Sequence, residues 1–565
     1  MQSRCSARWT STRALARAVG ASACAGIILL WAAAAIAHAG GRSADGPRAR
    51  AGAFVDARDG ARRARRWVDV AVGTTASGIP IAPGFVGLAI EYSEVPQLAG
   101  PTPRSVNPLF RRLFAGLNPA GDASIRIGGI STDRTWWPVS GMTRPPGIVY
   151  NLTPRWAMDA RALAQATGAS LMPGIELEAA NTRISATEAR QLLERIGRRY
   201  IDALEIGNEP PLYRDIPWYR ELGGRRLPWY AQTGMPVFSR PPSWGIPSFV
   251  REFRATVRAL PPAPIAGPAV GKADWLDGFV RAFGRRSRVR VITYHAYGLN
   301  QCIHNPRSPK YPSVAHLLSF AASRSLLQGT ASAFRAAQLA GQTVRVAEMG
   351  AITCGGTPGV SNSFASALWL LDALFDLAGH GVSGVNLHTF PGTPGALFDF
   401  ARPHGRWLAS VQPIYYGALA FARAAPAGAR LLGLTNDGRP DLRAWATRTE
   451  AGTVNVVLIN DSLKAAARVA LKVAGVGGTA ALQRLQAPSA YATSGVTLGG
   501  RSFGAQTSDG LLAAPIRSAV PPLGGIYRVT LARCSAALLT FAPAGARRTA
   551  AGTAPPAHGG AVRPR

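Results

Sequence analysis

From Phe85 onward, short apolar runs alternate with longer stretches in which apolar residues recur every three or four positions. The runs are 85–90, 124–127, 170–175, 203–206, 264–269, 291–294, 343–347 and 384–387. The stretches between them include 154–167, 187–198, 247–260, 275–283, 316–339 and 364–380. Runs of this length bounded by Gly and Pro read as strands, and the longer stretches as amphipathic helices. Eight strand-then-helix units over roughly 300 residues predict an α/β chain folded as a (β/α)8 barrel. An open doubly wound sheet is the alternative, but no G-x-G-x-x-G opens the first helix.

Beyond Tyr415-Tyr416-Gly417 the pattern changes. Runs at 431–434, 442–447, 454–460, 466–473, 480–485, 510–516 and 526–531 are separated by turn residues, the spacing of an all-β sandwich. An earlier run, 67–72, is a strand candidate for that same domain. The expected division is a barrel at 83–410 and a sandwich at 411–542, with residues 67–82 supplying an N-terminal strand to the latter. Residues 40–66 and 543–565, rich in Ala, Gly and Arg, read as a disordered leader and a basic tail.

Residues 1–39 have the layout of a secretory signal. Arg4, Arg8, Arg13 and Arg17 form a basic region, 25–37 is apolar, and Ala37-His38-Ala39 matches a cleavage site. Export to a periplasmic or extracellular space follows. The alternative is a signal retained as an anchor, since 18–37 is nearly long enough to span a bilayer. No later stretch is apolar enough, so no stable membrane span is expected after cleavage.

The formal net charge is +33. A field of that sign attracts acidic polymers, whether polysaccharide, nucleic acid or an anionic surface. Lysine occurs only at Lys272, Lys310, Lys464 and Lys472, so the excess is scattered arginine, as an arginine-rich genome would give. No motif of a nucleic-acid-binding fold accompanies it, and nucleic acid is not an expected partner. Cys5 and Cys24 fall in the leader, leaving Cys302, Cys354 and Cys534. Cys302 follows the sixth predicted strand and Cys354 the seventh, which makes them a disulfide candidate on neighbouring loops, with two separate thiols as the alternative.

Two strands end in carboxylates. Ala203-Leu-Glu-Ile-Gly-Asn-Glu-Pro210 closes on Glu209, and Thr343-Val-Arg-Val-Ala-Glu-Met-Gly350 on Glu348. On the fourth and seventh strands of a barrel, both would sit at the C-terminal mouth, where barrel active sites lie. Two carboxyls about 5–5.5 Å apart suit a retaining glycosidase, and a wider gap admits the water that inversion needs. Asn208 beside Glu209 can hold a sugar 2-hydroxyl, and Pro210 fixes the exit turn. Tyr297 and His295, after the sixth strand, are candidate donors toward Glu348. Glu176 and Glu178 after the third strand form a second carboxylate pair, read as surface or supporting residues for want of a partner motif. Asp133 and Arg134 either shape the site's floor or pair with each other. The insert 211–247 carries Tyr213, Trp218, Tyr219, Trp229, Tyr230 and Trp244, which either stack on sugar rings or pin the loop.

Asn208-Glu209-Pro210 with Glu348 resembles the retaining glycoside hydrolases of clan A, and within them family 79, the β-glucuronidases and heparanase-like enzymes. Further matching pieces are Gly87-Leu-Ala-Ile-Glu91, Arg126-Ile-Gly-Gly-Ile-Ser-Thr-Asp133, His295-Ala-Tyr297 and Cys354-Gly-Gly356. The resemblance implies a carbohydrate substrate, with an acidic glycan as one candidate, and no metal or other cofactor. It makes Glu209 the acid/base and Glu348 the nucleophile. Glu91 then binds sugar hydroxyls, Asn208 the 2-hydroxyl, Tyr297 stands beside the nucleophile, and the Gly355-Gly356 turn offers amides to a uronic carboxylate. Two departures stand against glucuronate. Thr353 occupies the place of a frequent tyrosine, and 387–396 lacks another, so a neutral or modified sugar stays open. So do a catalytically silent glycan-binding relative and a basic surface- or nucleic-acid-binding protein.

Overall fold

A computed structural model describes residues 67–436 and 439–543 of the chain. The expected signal and leader, 1–39 and 40–66, and all of the basic tail beyond Pro543 lie outside the described residues. Among those described, no helix is long and apolar enough to cross a membrane.

Eight parallel strands close into a barrel: Val86–Ile90, Ser124–Ile127, Ser170–Ile175, Leu204–Ile206, Ile265–Val270, Val289–Leu299, Thr343–Ile352 and Gly384–His388. All eight expected runs are there, and Val385 pairing with Val86 closes the ring. Val, Ile, Leu and Ala dominate these strands because each is covered on both faces. The sixth and seventh run further than the hydrophobic pattern suggested, pairing with each other as far as Leu299 and Ile352. His295, Tyr297 and Glu348 therefore stand on strand backbone rather than on the loops after it.

Inside the barrel Met172, Ala203, Ala266, Val291 and Ala347 form a small apolar cluster. Nearby lies the half-buried Arg345 side chain, which bonds Asn386. Gly384 has no side chain where one would collide: a Cβ there would sit 2.3 Å from Arg345 Nη1.

Three helical expectations change. The stretch at 316–339 is three short helices, Val314–Leu317, Phe320–Arg324 and Ala331–Leu339, broken by serines and by Gly329 at φ +79. The expected helix at 187–198 starts earlier, at Thr182, because the Asn181 side chain accepts the Arg183 N–H and caps it. Phe364–Gly379 is buried on every side instead of amphipathic, being sandwiched between the barrel and the helix Pro413–Ala424. Its N-terminal amides are satisfied from outside the barrel, Phe364 by the Ala492 carbonyl and Ala365 by that of Ala490.

The C-terminal domain is one ten-stranded sheet folded back over its own apolar core. Trp67–Ser77 lies inside it, antiparallel to Arg430–Asn436 and parallel to Ala467–Val473. The expected strand at 510–516 is a loop. Ser535–Phe541, which hydrophobic pattern reading passed over, is a central strand between Val454–Asn460 and Ala480–Gln486. An ionic clasp joins this domain to the barrel helices. Asp372 accepts from Trp445 Nε1 at 2.8 Å and Arg324 at 3.1 Å, with Arg443 3.7 Å away.

Candidate active site

Glu209 is delivered by a tightly held turn. The fourth strand ends at Ile206, and Gly207 takes φ +71 against Tyr213, where a Cβ would lie 2.6 Å from the phenol oxygen. The Asn208 N–H donates to Asp133 Oδ2 at 2.8 Å, and that of Glu209 to the Ala269 carbonyl at 2.9 Å. Glu209 itself sits at φ +46, a left-handed conformation that a non-glycine residue adopts only when its surroundings impose it. Its side chain, 31 % exposed, looks out of the mouth.

Glu348, by contrast, is 7 % exposed and held at both oxygens. Arg126 Nη1 donates to Oε2 at 2.7 Å and Tyr297 Oη to Oε1 at 2.6 Å. Burial opposes its ionisation, but the neighbouring His388, His295 and Arg126 and the Tyr297 hydrogen bond outweigh it. They hold the carboxyl far below the usual carboxylate range. Glu348 is therefore an anion fixed in one orientation.

His295 Nδ1 stands between the two carboxylates, 3.2 Å from Glu209 Oε1 and 4.0 Å from Glu348 Oε2. Those oxygens are accordingly no more than about 7.2 Å apart, across a barrel whose sequence separates them widely.

Arg126, on the second strand, organises this mouth and was absent from the expected site residues. Fully buried, it also donates from Nε to Glu205 Oε2 at 2.5 Å and from Nη2 to Asn208 Oδ1 at 2.8 Å. An arginine in the run Ser124-Ile-Arg-Ile127 and a glutamate in Leu204-Glu-Ile206 were the available signal. A charge inside a buried strand needs an interior partner.

Glu91 and His388 complete the floor. Glu91 Oε2 accepts the Ser131 N–H at 2.9 Å and the Ser131 hydroxyl. The turn facing it contains Gly129 at φ +93, where a Cβ would lie 2.2 Å from Glu91 Oε1. His388, on the eighth strand, has Nδ1 3.0 Å from Tyr297 Oη and Nε2 3.5 Å from Glu91 Oε1. It too lies outside the expected set, although it falls in the segment 387–396 that lacks the tyrosine looked for there.

Cys354, Gly355 and Gly356 all take positive φ. The Gly356 N–H closes the turn on the Thr353 carbonyl at 3.2 Å. Thr353 bonds Asn300 Oδ1 at 3.1 Å and ties this turn to the loop carrying Cys302. The Cys302 and Cys354 sulfurs lie 3.9 Å apart, in contact but not covalently joined, so the expected bridge is replaced by adjacent thiols.

The remaining candidates are not brought to the mouth. Glu176 and Glu178 are buried. Glu178 pairs with Arg134, and burial pushes its carboxyl up to about 7. Asp133 does not pair with Arg134 through its carboxylate. It accepts instead from Leu177 N, Asn208 N and Tyr213 Oη, bracing the Glu209 turn from below. In the insert, Tyr213, Trp218, Trp229 and Trp244 are buried, with Trp244 Nε1 bonded to the Pro210 carbonyl at 2.9 Å. These rings fasten the loop that follows Glu209; Tyr219 and Tyr230 are half-buried.

No family model matches this sequence, and no curated protein sequence is significantly similar to it. Solved structures do resemble it. A 4-O-α-L-rhamnosyl-β-D-glucuronidase from Fusarium oxysporum 12S superposes with a TM-score of 0.62 at 19 % identity, covering 83 % of this chain and 100 % of that one. A family 51 arabinofuranosidase from Xanthomonas axonopodis pv. citri gives 0.58 at 15 % identity, over 84 % and 99 % of the two chains. CelM2, a bifunctional glucanase-xylanase from a metagenome library, gives 0.55 at 13 %, over 85 % and 99 %. At these identities the likeness is one of fold: a (β/α)8 barrel carrying a β domain, as in these glycoside hydrolases.

Proposed function

We propose that this protein is a retaining glycoside hydrolase acting on a terminal β-linked sugar, with a β-glucuronide as the leading substrate class. The observation that carries the reading is the pair of glutamates flanking one histidine nitrogen at the barrel mouth. One is an immobilised anion and the other is open to solvent. In the first step Glu209 gives its proton to the departing glycosidic oxygen while Glu348 attacks the anomeric carbon, forming a glycosyl ester. In the second, Glu209 takes a proton from water, which displaces Glu348 and restores the starting configuration. Asn208, whose Oδ1 accepts from Arg126, would bond the sugar 2-hydroxyl through its amide N–H, a contact that tightens in the oxocarbenium-like transition state.

Glucuronate is favoured by the likeness to a 4-O-α-L-rhamnosyl-β-D-glucuronidase solved with Rha-GlcA, and the positive-φ Gly355-Gly356 turn after the nucleophile strand would offer backbone amides to its carboxylate. Thr353 in place of a tyrosine favours a neutral or modified sugar instead. The sequence signal at 1–39 fits an exported enzyme meeting its glycan outside the cytoplasm.

A panel of 4-nitrophenyl glycosides tests this, covering β-glucuronide, β-glucoside, β-xyloside and α-L-arabinofuranoside. Glu209→Gln and Glu348→Gln serve as controls, and proton NMR reads the anomer first released. The expected result is β-glucuronide turnover with retention, lost in Glu348→Gln. No turnover of any member, or turnover with inversion, would overturn the reading.

A further inference from the structure

The Tyr297 hydroxyl has one hydrogen and two neighbours. Oη lies 2.6 Å from Glu348 Oε1 and 3.0 Å from His388 Nδ1. The carboxylate only accepts, so the hydrogen goes to Glu348. What remains for His388 is a lone pair, and Nδ1 must then carry a hydrogen of its own. On the far edge of the ring, Nε2 is buried without an aligned hydrogen bond, 3.5 Å from Glu91 Oε1. An ionised Glu91 offers that oxygen as an acceptor only, its Oε2 already taking both Ser131 donors. Each ring nitrogen thus faces an acceptor, an arrangement that a neutral imidazole with one N–H leaves half unmet.

From this we infer that His388 is a doubly protonated positioning residue, linking Glu91 to Tyr297 and steering the tyrosine hydroxyl onto Glu348. The inference deepens the hydrolase reading and rests on it for its kinetic consequence alone. Glu348 is itself 3.7 Å from Nδ1 and Glu91, just after the first strand, adds negative charge at Nε2, while Glu94 in the following turn holds its proton to about pH 8 and adds none at neutral pH. Arg126 on the second strand opposes the cation. Burial disfavours a charged ring, yet the Glu348 and Glu91 carboxylates outweigh it and raise the His388 pKa above the ordinary histidine value. When the ring loses its Nδ1 proton, that nitrogen becomes an acceptor and competes with Glu348 for the tyrosine hydrogen. The nucleophile then loses that support.

Two measurements test it. In protein labelled with ¹⁵N-histidine, the His388 signals, assigned by their loss in His388→Gln, should show both nitrogens protonated at pH 7. Their titration should move to lower pH in Glu91→Gln. A single neutral tautomer at pH 7 in the wild type would overturn the inference. This readout needs no turnover, so a protein inactive on every glycoside but carrying the doubly protonated ring would sink the hydrolase reading and leave the inference standing. In an active protein, His388→Gln should lower kcat/KM about 10-fold in the wild type and less than about 2-fold when Tyr297 is already phenylalanine. Equal losses in the two backgrounds would show that His388 does not act through Tyr297.

Discussion

Tyr297 donates to Glu348 at 2.6 Å because the sixth and seventh strands pair with each other beyond the rest of the barrel, with Tyr297 set opposite Gly350. A Cβ at Gly350 would lie 2.8 Å from the Tyr297 ring, so the glycine makes room for the phenol to lie along the neighbouring strand. Tyr297→Phe should lower kcat/KM on the best glycoside by about 10²-fold. The donor stabilises the charged carboxylate, so its removal raises the Glu348 pKa and moves the acid limb of the pH–rate profile to higher pH. A profile unchanged in position would mean the bond has no catalytic weight.

Arg126 should prove structural and functional together. Arg126→Met strands the buried Glu205 without its partner and should cost about 3–5 kcal/mol of stability. Adding Glu205→Met should restore much of the melting temperature, since an apolar pair of similar volume replaces a buried ion pair. Activity should stay lost in the double variant, because Glu348 Oε2 and Asn208 Oδ1 remain without their Arg126 donor. Thermal denaturation beside kcat/KM for both variants separates the two roles.

The roles of the two glutamates can be read from added azide. In Glu209→Ala, a small anion needs no base catalysis to displace the glycosyl ester and should give a β-glycosyl azide with rate recovery. In Glu348→Ala, azide occupies the emptied nucleophile position and should give the α-glycosyl azide. Product NMR assigns each case, and the opposite pairing would exchange the two roles.

Glu94, buried beside Glu91, has its carboxyl pushed up to about 8, first by burial and then by Glu91. The unfolded chain loses this proton near the ordinary carboxyl value, and the folded chain keeps it until about pH 8. Between those points the unfolded state binds fewer protons, so stability falls as pH rises and levels off above the folded value. Glu94→Gln abolishes that slope. The variant should match the wild type near pH 4 and exceed it by about 2–4 kcal/mol at pH 8, as read from urea midpoints at several pH values.

Cys354 should react as a thiolate near neutrality. Its pKa is lowered to about 7, foremost by the hydrogen bond from the Cys302 side chain, against the opposing effect of burial. Iodoacetamide labelling followed by peptide mass mapping should show a pH midpoint near 7. Cys302→Ala should shift that midpoint upward by a unit or more.

The strand runs and their terminal acids were legible in the sequence because a barrel strand is covered on both faces and reads as continuous apolar residues. Glu209 and Glu348 stood out as charges at the ends of such runs, and the eightfold alternation with helices placed both at one mouth. Arg126 and Glu205 were equally visible as charges, but their meaning was not. A buried ion pair is defined by two strands facing across an interior, and one-dimensional pattern carries no record of who faces whom. His388 and the Asp133 acceptor site were hidden for the same reason, each being one polar residue whose partners come from other strands and loops. Ser535–Phe541 was missed because its alanines are weak strand formers, and the sheet on either side holds it in place. The sequence by itself determined the barrel and the two candidate acids. Tertiary structure alone decided that one of them is clamped as an anion, since that depends on distances between side chains from four different strands.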